Sequence, residues 1–133
     1  MNILVTGGAG FIGSNFIRYV LKTDSGDCVI NLDALTYAGN LTNLSSVQNN
    51  SRYLFVHGNI ADETLVGKLL ADYHIGAVVN FAAESHVDRS ILNPRQFVES
   101  NYGGVSIFFE LPEEVSGNPV YSSFYRRGLW ECT

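Results

Sequence analysis

Thr6-Gly7-Gly8-Ala9-Gly10-Phe11-Ile12-Gly13 stands between a β-rich run, Asn2-Ile3-Leu4-Val5-Thr6, and a stretch in which Ile12, Phe16, Tyr19 and Val20 recur at helical spacing. A strand halted by glycines and followed at once by an amphipathic helix is predicted. In such a turn Gly7 permits the tight bend, Gly10 lets the main chain come close to a bound group, and Gly13 lets helix and strand approach each other. The first turn of the helix leaves N–H groups without intrahelical partners and carries a partial positive charge, which suits a phosphate.

Outward from this loop the pattern repeats. Cys28-Val29-Ile30-Asn31-Leu32-Asp33 reads as a second strand punctuated by Gly26 and Asp27, and Arg52 to Gly58 as a third. Asp62 then caps a helix with Glu63 in its first turn and Leu65, Leu69 and Leu70 along one face, and Ala77 to Ala83 gives a fourth strand. Apolar strands alternating with helical segments imply parallel pairing through right-handed crossovers, a Rossmann-like doubly wound α/β sheet truncated after about four strands. Residues 35–51 are polar and turn-rich and read as a loop with one short helical turn. Asn93 and Pro94 have the residue types of a cap and first position of a further helix.

Asp33 ends the second strand 20 residues after Gly13, where a carboxylate can accept hydrogen bonds from both ribose hydroxyls of a dinucleotide. A 2′-phosphate would meet that carboxylate as a like charge, so NAD is favoured over NADP. The plainer alternative is a glycine-rich connection with a solvated aspartate at a strand end.

Composition narrows the options further. A formal charge of −5, with eight lysines and arginines, argues against nucleic acid as a partner, because that affinity comes from a basic surface. His57, His74 and His86 are too scattered for a metal set, and Cys28 and Cys132 make no zinc spacing and no disulfide framework. His57 and His74 read as half-buried or solvated, Asp62, Glu63 and Asp72 as exposed helix residues, and Cys28 as a small buried thiol. No segment approaches the roughly 20 apolar residues of a membrane span. A soluble, cytoplasmic protein is expected.

Phe81-Ala82-Ala83-Glu84-Ser85-His86-Val87-Asp88-Arg89-Ser90 through Asn101, together with the glycine loop, "NLDALTYAGNLTNL" and "RYLFVHGNI", resembles the dTDP-glucose 4,6-dehydratases of the extended short-chain dehydrogenase/reductase family. The resemblance is continuous from Met1 to Asn101 and marks residues 1–101 as the NAD-binding half. It implies a bound NAD with its pyrophosphate over Gly10, Phe11 and Ile12, its ribose at Asp33, and Ala34, Leu35 and Thr36 along the neighbouring wall. Asn59 stands where the family has an adenine-binding aspartate, with Ile60 beside it. Phe81, Ala82, Ala83, Glu84 and Ser85 would pass beneath the nicotinamide side. Ser85 and His86 would lie toward the sugar nucleotide, dTDP-glucose, and Ser100 replaces a cofactor-facing threonine. Taken alone, the Ala82–Ser90 stretch could also be a polar loop capped by Asp88. The family is commonly homodimeric.

The family reaction takes a hydride from C4 of the glucose ring onto NAD, eliminates water across C5 and C6, and returns the hydride to C6. It uses a Tyr-x-x-x-Lys pair, a threonine and an Asp-Glu pair. These 133 residues hold no Tyr-x-x-x-Lys, since Lys22 and Lys68 are the only lysines and neither has a tyrosine four before it. An N-terminal fragment of a dehydratase without its catalytic residues is therefore expected. A noncatalytic NAD-binding fragment or partner subunit, or a fragment of a related sugar-nucleotide epimerase, are the alternatives.

After Asn101 the style changes. Residues 102–133 hold two of the three prolines, the only tryptophan and seven of the 16 aromatics, without lasting periodicity. The family's Ser-Thr-Asp-Glu-Val-Tyr-Gly falls, in register, on Phe124-Tyr125-Arg126-Arg127-Gly128-Leu129-Trp130. One permitted codon choice for those residues, TTC TAC CGA CGA GGT TTA TGG, read one nucleotide later, spells Ser-Thr-Asp-Glu-Val-Tyr-Gly. Glu113 to Phe124 can likewise be encoded so that the same offset gives Arg-Lys-Tyr-Arg-Val-Thr-Arg-Phe-Ile-His-Leu-Ser, a plausible family strand. An irregular, out-of-frame tail over 102–133 is the expectation, with an unusual but genuine C-terminal segment as the alternative.

Overall fold

The computed structural model describes residues 1–83, Arg95 and the backbone of Val120–Ser122. Strands β1 (Asn2–Thr6), β2 (Cys28–Asp33), β3 (Tyr53–His57), β4 (Ile75–Asn80) and β5 (Val120–Ser122) form one sheet in the order β3-β2-β1-β4-β5, parallel at every pairing. Helix α1 (Phe11–Lys22) joins β1 to β2, a 3-10 turn (Leu41–Leu44) lies between β2 and β3, and α2 (Glu63–Asp72) joins β3 to β4. The strand order reverses direction at β1, so the carboxyl ends of β1 and β4 diverge around a crevice, the usual ligand position in such sheets.

Both faces of the sheet are covered, which is why the strands are apolar nearly throughout rather than alternating. On one face Ile3, Val5 and Val29 pack with Ile17, Val20 and Leu21 of α1 and with Leu44 and Val47. On the other, Leu4, Ile30, Leu32 and Val78 pack with Val66, Leu69 and Leu70 of α2. Asp62 caps α2 as its residue type suggested, its carboxylate accepting from the Leu65 N–H at 3.0 Å. Asp62, Glu63 and Asp72 are exposed, and Cys28 is half-buried rather than buried.

The described strands match the four expected from the sequence, and the loop 35–51 contains the single short turn. Two features differ. The buried face of α1 is Gly13, Ser14, Ile17, Val20 and Leu21, whereas Ile12 and Tyr19 are 51% and 68% exposed. Val20 is buried and Phe16 packs against the same core, while the small residues Gly13 and Ser14 take inward positions where they permit close approach to the sheet. The second difference is β5, three residues of the tail that pair with Val78–Asn80 in register from Val78↔Val120. Expectations placed on Asn93, Pro94 and the remainder of the tail lie outside the described residues.

Candidate functional site

The site is built where β1 ends. The Gly7 N–H donates to the Leu32 carbonyl at 2.9 Å, and the chain then turns at Gly7 with φ +69°, a conformation strained for any residue with a Cβ. A Cβ at Gly7 would lie 2.5 Å from the Ala82 nitrogen, and one at Gly13 would lie 2.4 Å from the Gly7 carbonyl oxygen. Among the described residues a Cβ at Gly10 would meet only the Gly7 oxygen, at 3.4 Å. The protein therefore fills the space at Gly7 and Gly13 and leaves it open at Gly10.

Ser14 is the first residue of α1 whose amide is taken up within the helix, by the Gly10 carbonyl at 3.0 Å. The amides of Phe11, Ile12 and Gly13 have no acceptor among the described residues, and no acidic side chain stands in the first turn. Phe11 itself is 82% exposed. Here is a ready seat for an anion that does not depend on lysine or arginine.

Asp33, 7% exposed, closes the far side. Its Oδ2 accepts the Ala9 N–H at 2.8 Å and its Oδ1 the Leu35 N–H at 2.8 Å, so the carboxylate is fixed in place with further lone pairs still available. Leu35 adopts φ 52° in making that bond. Asn31 lies two residues before Asp33 on the same face of β2. Its Oδ1 accepts the Gly8 N–H at 3.1 Å, and its Nδ2 donates to the Tyr53 hydroxyl at 3.1 Å. On the β4 side Asn80 accepts from the Thr6 hydroxyl and, at 3.1 Å, from the Ala82 N–H, tying the two diverging strand ends together.

The crevice between these groups is lined by Gly7, Gly10, Asp33, Ala34 and Thr36, by Asn59 and Ile60 from beyond β3, and by Phe81, Ala82 and Ala83 from beyond β4. Phe11, Ile12, Gly13 and Leu35 do not line it: the first three follow the lining residue Gly10 in the chain, and Leu35 stands between Ala34 and Thr36. Glu84, Ser85, His86 and Ser100 lie outside the described residues. Leu32, Ala38, Gly39 and Gly58 also line the crevice and were not anticipated, although each is next to or near an anticipated residue in sequence. Asn31, an amide within an apolar run and two before the aspartate, stands out in the sequence as a polar residue at the site, although its partner does not. His57 is exposed, its Nε2 3.2 Å from the Ala34 carbonyl, and His74 is exposed at φ 47°. Among the described residues no group of His, Cys, Asp or Glu could hold a metal, and no helix is long and apolar enough to cross a membrane.

Burial pushes the Tyr53 phenol up from the ordinary tyrosine value, an effect the Asp33 charge adds to and the Asn31 amide partly offsets. A raised folded pKa means that the contribution to stability is complete below the unfolded value of about 10 and is lost as pH rises through the folded value. Chemical denaturation between about pH 9 and 11 should therefore show a steeper loss of stability in the natural chain than in Tyr53→Phe. Equal slopes would show that Tyr53 ionises as it does in the unfolded chain.

The sequence pattern of the GDP-mannose 4,6 dehydratase family matches residues 4–125. A dTDP-glucose 4,6-dehydratase of Escherichia coli is 49% identical over 110 residues, which is 83% of this chain and 30% of that protein. The crystal structure of the dTDP-glucose 4,6-dehydratase of Streptomyces venezuelae with NAD bound is 42% identical with a TM-score of 0.82, over 98% of this chain and 43% of that one. The UDP-Glc/GlcNAc 4-epimerase of Campylobacter jejuni superposes with a TM-score of 0.79 at 29% identity, over 92% of this chain and 36% of that one. The chain thus spans about a third of the length of the curated relatives that it matches. With that pattern running over the glycine loop, the strand-end aspartate and the paired strand ends of one parallel sheet, the chain belongs to the GDP-mannose 4,6 dehydratase family.

Proposed function

We propose that residues 1–101 are the NAD-binding half of a dTDP-glucose 4,6-dehydratase. The observation that carries this is the pairing of three open amides at the start of α1 with a buried, fixed carboxylate at Asp33 across one crevice. The amides of Phe11, Ile12 and Gly13 hold the pyrophosphate, and the open space at Gly10 admits it. Asp33 accepts from the adenosine ribose hydroxyls with the lone pairs not engaged by Ala9 and Leu35, and repels a 2′-phosphate. Ala34, Thr36, Asn59 and Ile60 form the adenine side, and Phe81, Ala82 and Ala83 the nicotinamide side. When bound, NAD accepts and returns the hydride that makes the elimination of water from the sugar possible. Glu84, Ser85, His86 and Ser100 complete the site toward dTDP-glucose in this reading, and the assembly is a cytoplasmic homodimer.

Residues 102–133 are, in the same proposal, translated out of frame over at least Glu113 to Trp130. The position of β5 is consistent with this: Val120–Ser122 pairs beside β4, where one permitted codon choice would read Phe-Ile-His one nucleotide later. The coding DNA decides this part directly, because a shifted frame that does not spell Ser-Thr-Asp-Glu-Val-Tyr-Gly at Phe124 to Trp130 removes it.

The activity is tested by assaying conversion of dTDP-glucose with NAD present. The 133-residue chain should give no turnover, and a chain with the frame restored and continued to the relatives' length should form the 4-keto-6-deoxy sugar nucleotide. Epimerisation in place of dehydration would favour the 4-epimerase reading. Turnover by the 133-residue chain would overturn the assignment of the catalytic residues to the restored segment.

A further inference from the structure

Ala9, between the glycines, is gripped at both ends of its backbone by residues outside the glycine loop. Its N–H donates to Asp33 Oδ2 at 2.8 Å, and its carbonyl accepts from both the Asn40 N–H and Asn43 Nδ2, each at 3.0 Å. Asn43 is itself fixed: its carbonyl accepts from Arg18 Nη1 at 2.7 Å, while Arg18 Nη2 donates to Asn15 Oδ1 at 2.8 Å. The 3-10 turn, the outer side of α1 and the glycine loop are joined by this chain of bonds. Within the peptide linking Ala9 to Gly10, the carbonyl is directed to Asn43 and the N–H to the Gly7 carbonyl at 3.2 Å. That peptide immediately precedes the open amides of Phe11, Ile12 and Gly13. If it turned over, a carbonyl dipole would replace an N–H dipole beside the anion seat, and the field there would oppose an anion.

We propose that Asn43 is a positioning residue for dinucleotide binding, holding the Ala9 carbonyl outward so that the start of α1 is organised for pyrophosphate before the ligand arrives. The inference rests on the NAD reading above for its ligand, but its structural half does not. Preorganisation of this kind raises affinity by removing the cost of ordering the loop on binding.

The test uses the 133-residue chain with Asn43→Asp, which keeps the shape and removes the donor, and Asn43→Ala as a second variant that adds no charge. Amide hydrogen exchange is measured without ligand, and NAD affinity by calorimetry. Exchange at Ala9, Gly10 and Ser14, the hydrogen-bonded amides of the loop, should accelerate on the order of 10-fold while the amides of β1, β2 and β4 keep their protection, and NAD affinity should fall on the order of 10-fold. Unchanged exchange in the loop, or acceleration spread evenly over the strands, would overturn the proposal, as would unaltered NAD affinity in a variant with a loosened loop. If the natural chain binds no NAD, the NAD reading fails separately, and the exchange pattern still decides whether Asn43 organises the loop.

Discussion

Alanine at Gly13 is expected to cost the fold about 3 kcal/mol, whereas alanine at Gly10, three residues earlier, should cost under about 1 kcal/mol and still lower NAD affinity by about 100-fold or more. The new Cβ at Gly13 would meet the Gly7 oxygen at 2.4 Å and the Gly8 Cα at 2.8 Å, both main-chain atoms that cannot swing aside. Relief requires α1 to move off the sheet, loosening Ile17, Val20 and Leu21 from their contacts. Against a total stability of about 5–15 kcal/mol this is a large fraction. At Gly10 the backbone sits at φ −75° and ψ 176°, which alanine adopts without strain, and among the described residues its Cβ would have one neighbour, at 3.4 Å. What that methyl group would occupy is the space left for the ligand. Denaturant titration together with calorimetry on both variants separates the two effects. Equal stability losses at the two glycines would show that the loop is packed alike throughout and that no space is reserved at Gly10.

Replacing Asp33 by alanine should reduce NAD affinity by about 10- to 100-fold and lower stability by about 2 kcal/mol. The carboxylate is buried and serves the Ala9 and Leu35 N–H groups, so its loss strands two donors in a site largely closed to water. Asp33→Asn is the informative companion. It retains one acceptor oxygen and removes the charge, so it should bind NAD more weakly than the natural chain but discriminate less against NADP. An Asp33→Asn variant with unaltered preference for NAD over NADP would show that the carboxylate serves the fold alone.

The sequence made the sheet legible because its cues are local. Each strand is a short apolar run bounded by glycine or a polar cluster, and Asp62 announces α2 with a side chain that reaches only three residues along the chain. Asp33 was legible for the same reason, standing at a strand end at a fixed distance from Gly13. The buried face of α1 was legible only in part: Phe16 and Val20 pack inward, but Gly13 and Ser14 contribute through smallness, which hydrophobic spacing does not register. The clamps on the loop escaped for a different reason. Asn31 reaches Gly8 across 23 positions and Asn43 reaches Ala9 across 34, and nothing in the chain near either asparagine names its partner. β5 is three residues long in a segment whose sequence has no lasting periodicity, and among the described residues it pairs with β4.

Amide NMR of the 133-residue chain titrated with NAD examines the crevice at the end of β1 residue by residue. Saturable shifts at Phe11, Ile12, Gly13 and Leu35, with NADP much weaker, are predicted, the first three reporting the phosphates and the fourth the Asp33 carboxylate. A folded spectrum that stays unchanged at millimolar NAD, or saturable shifts confined to other elements, would contradict the NAD reading.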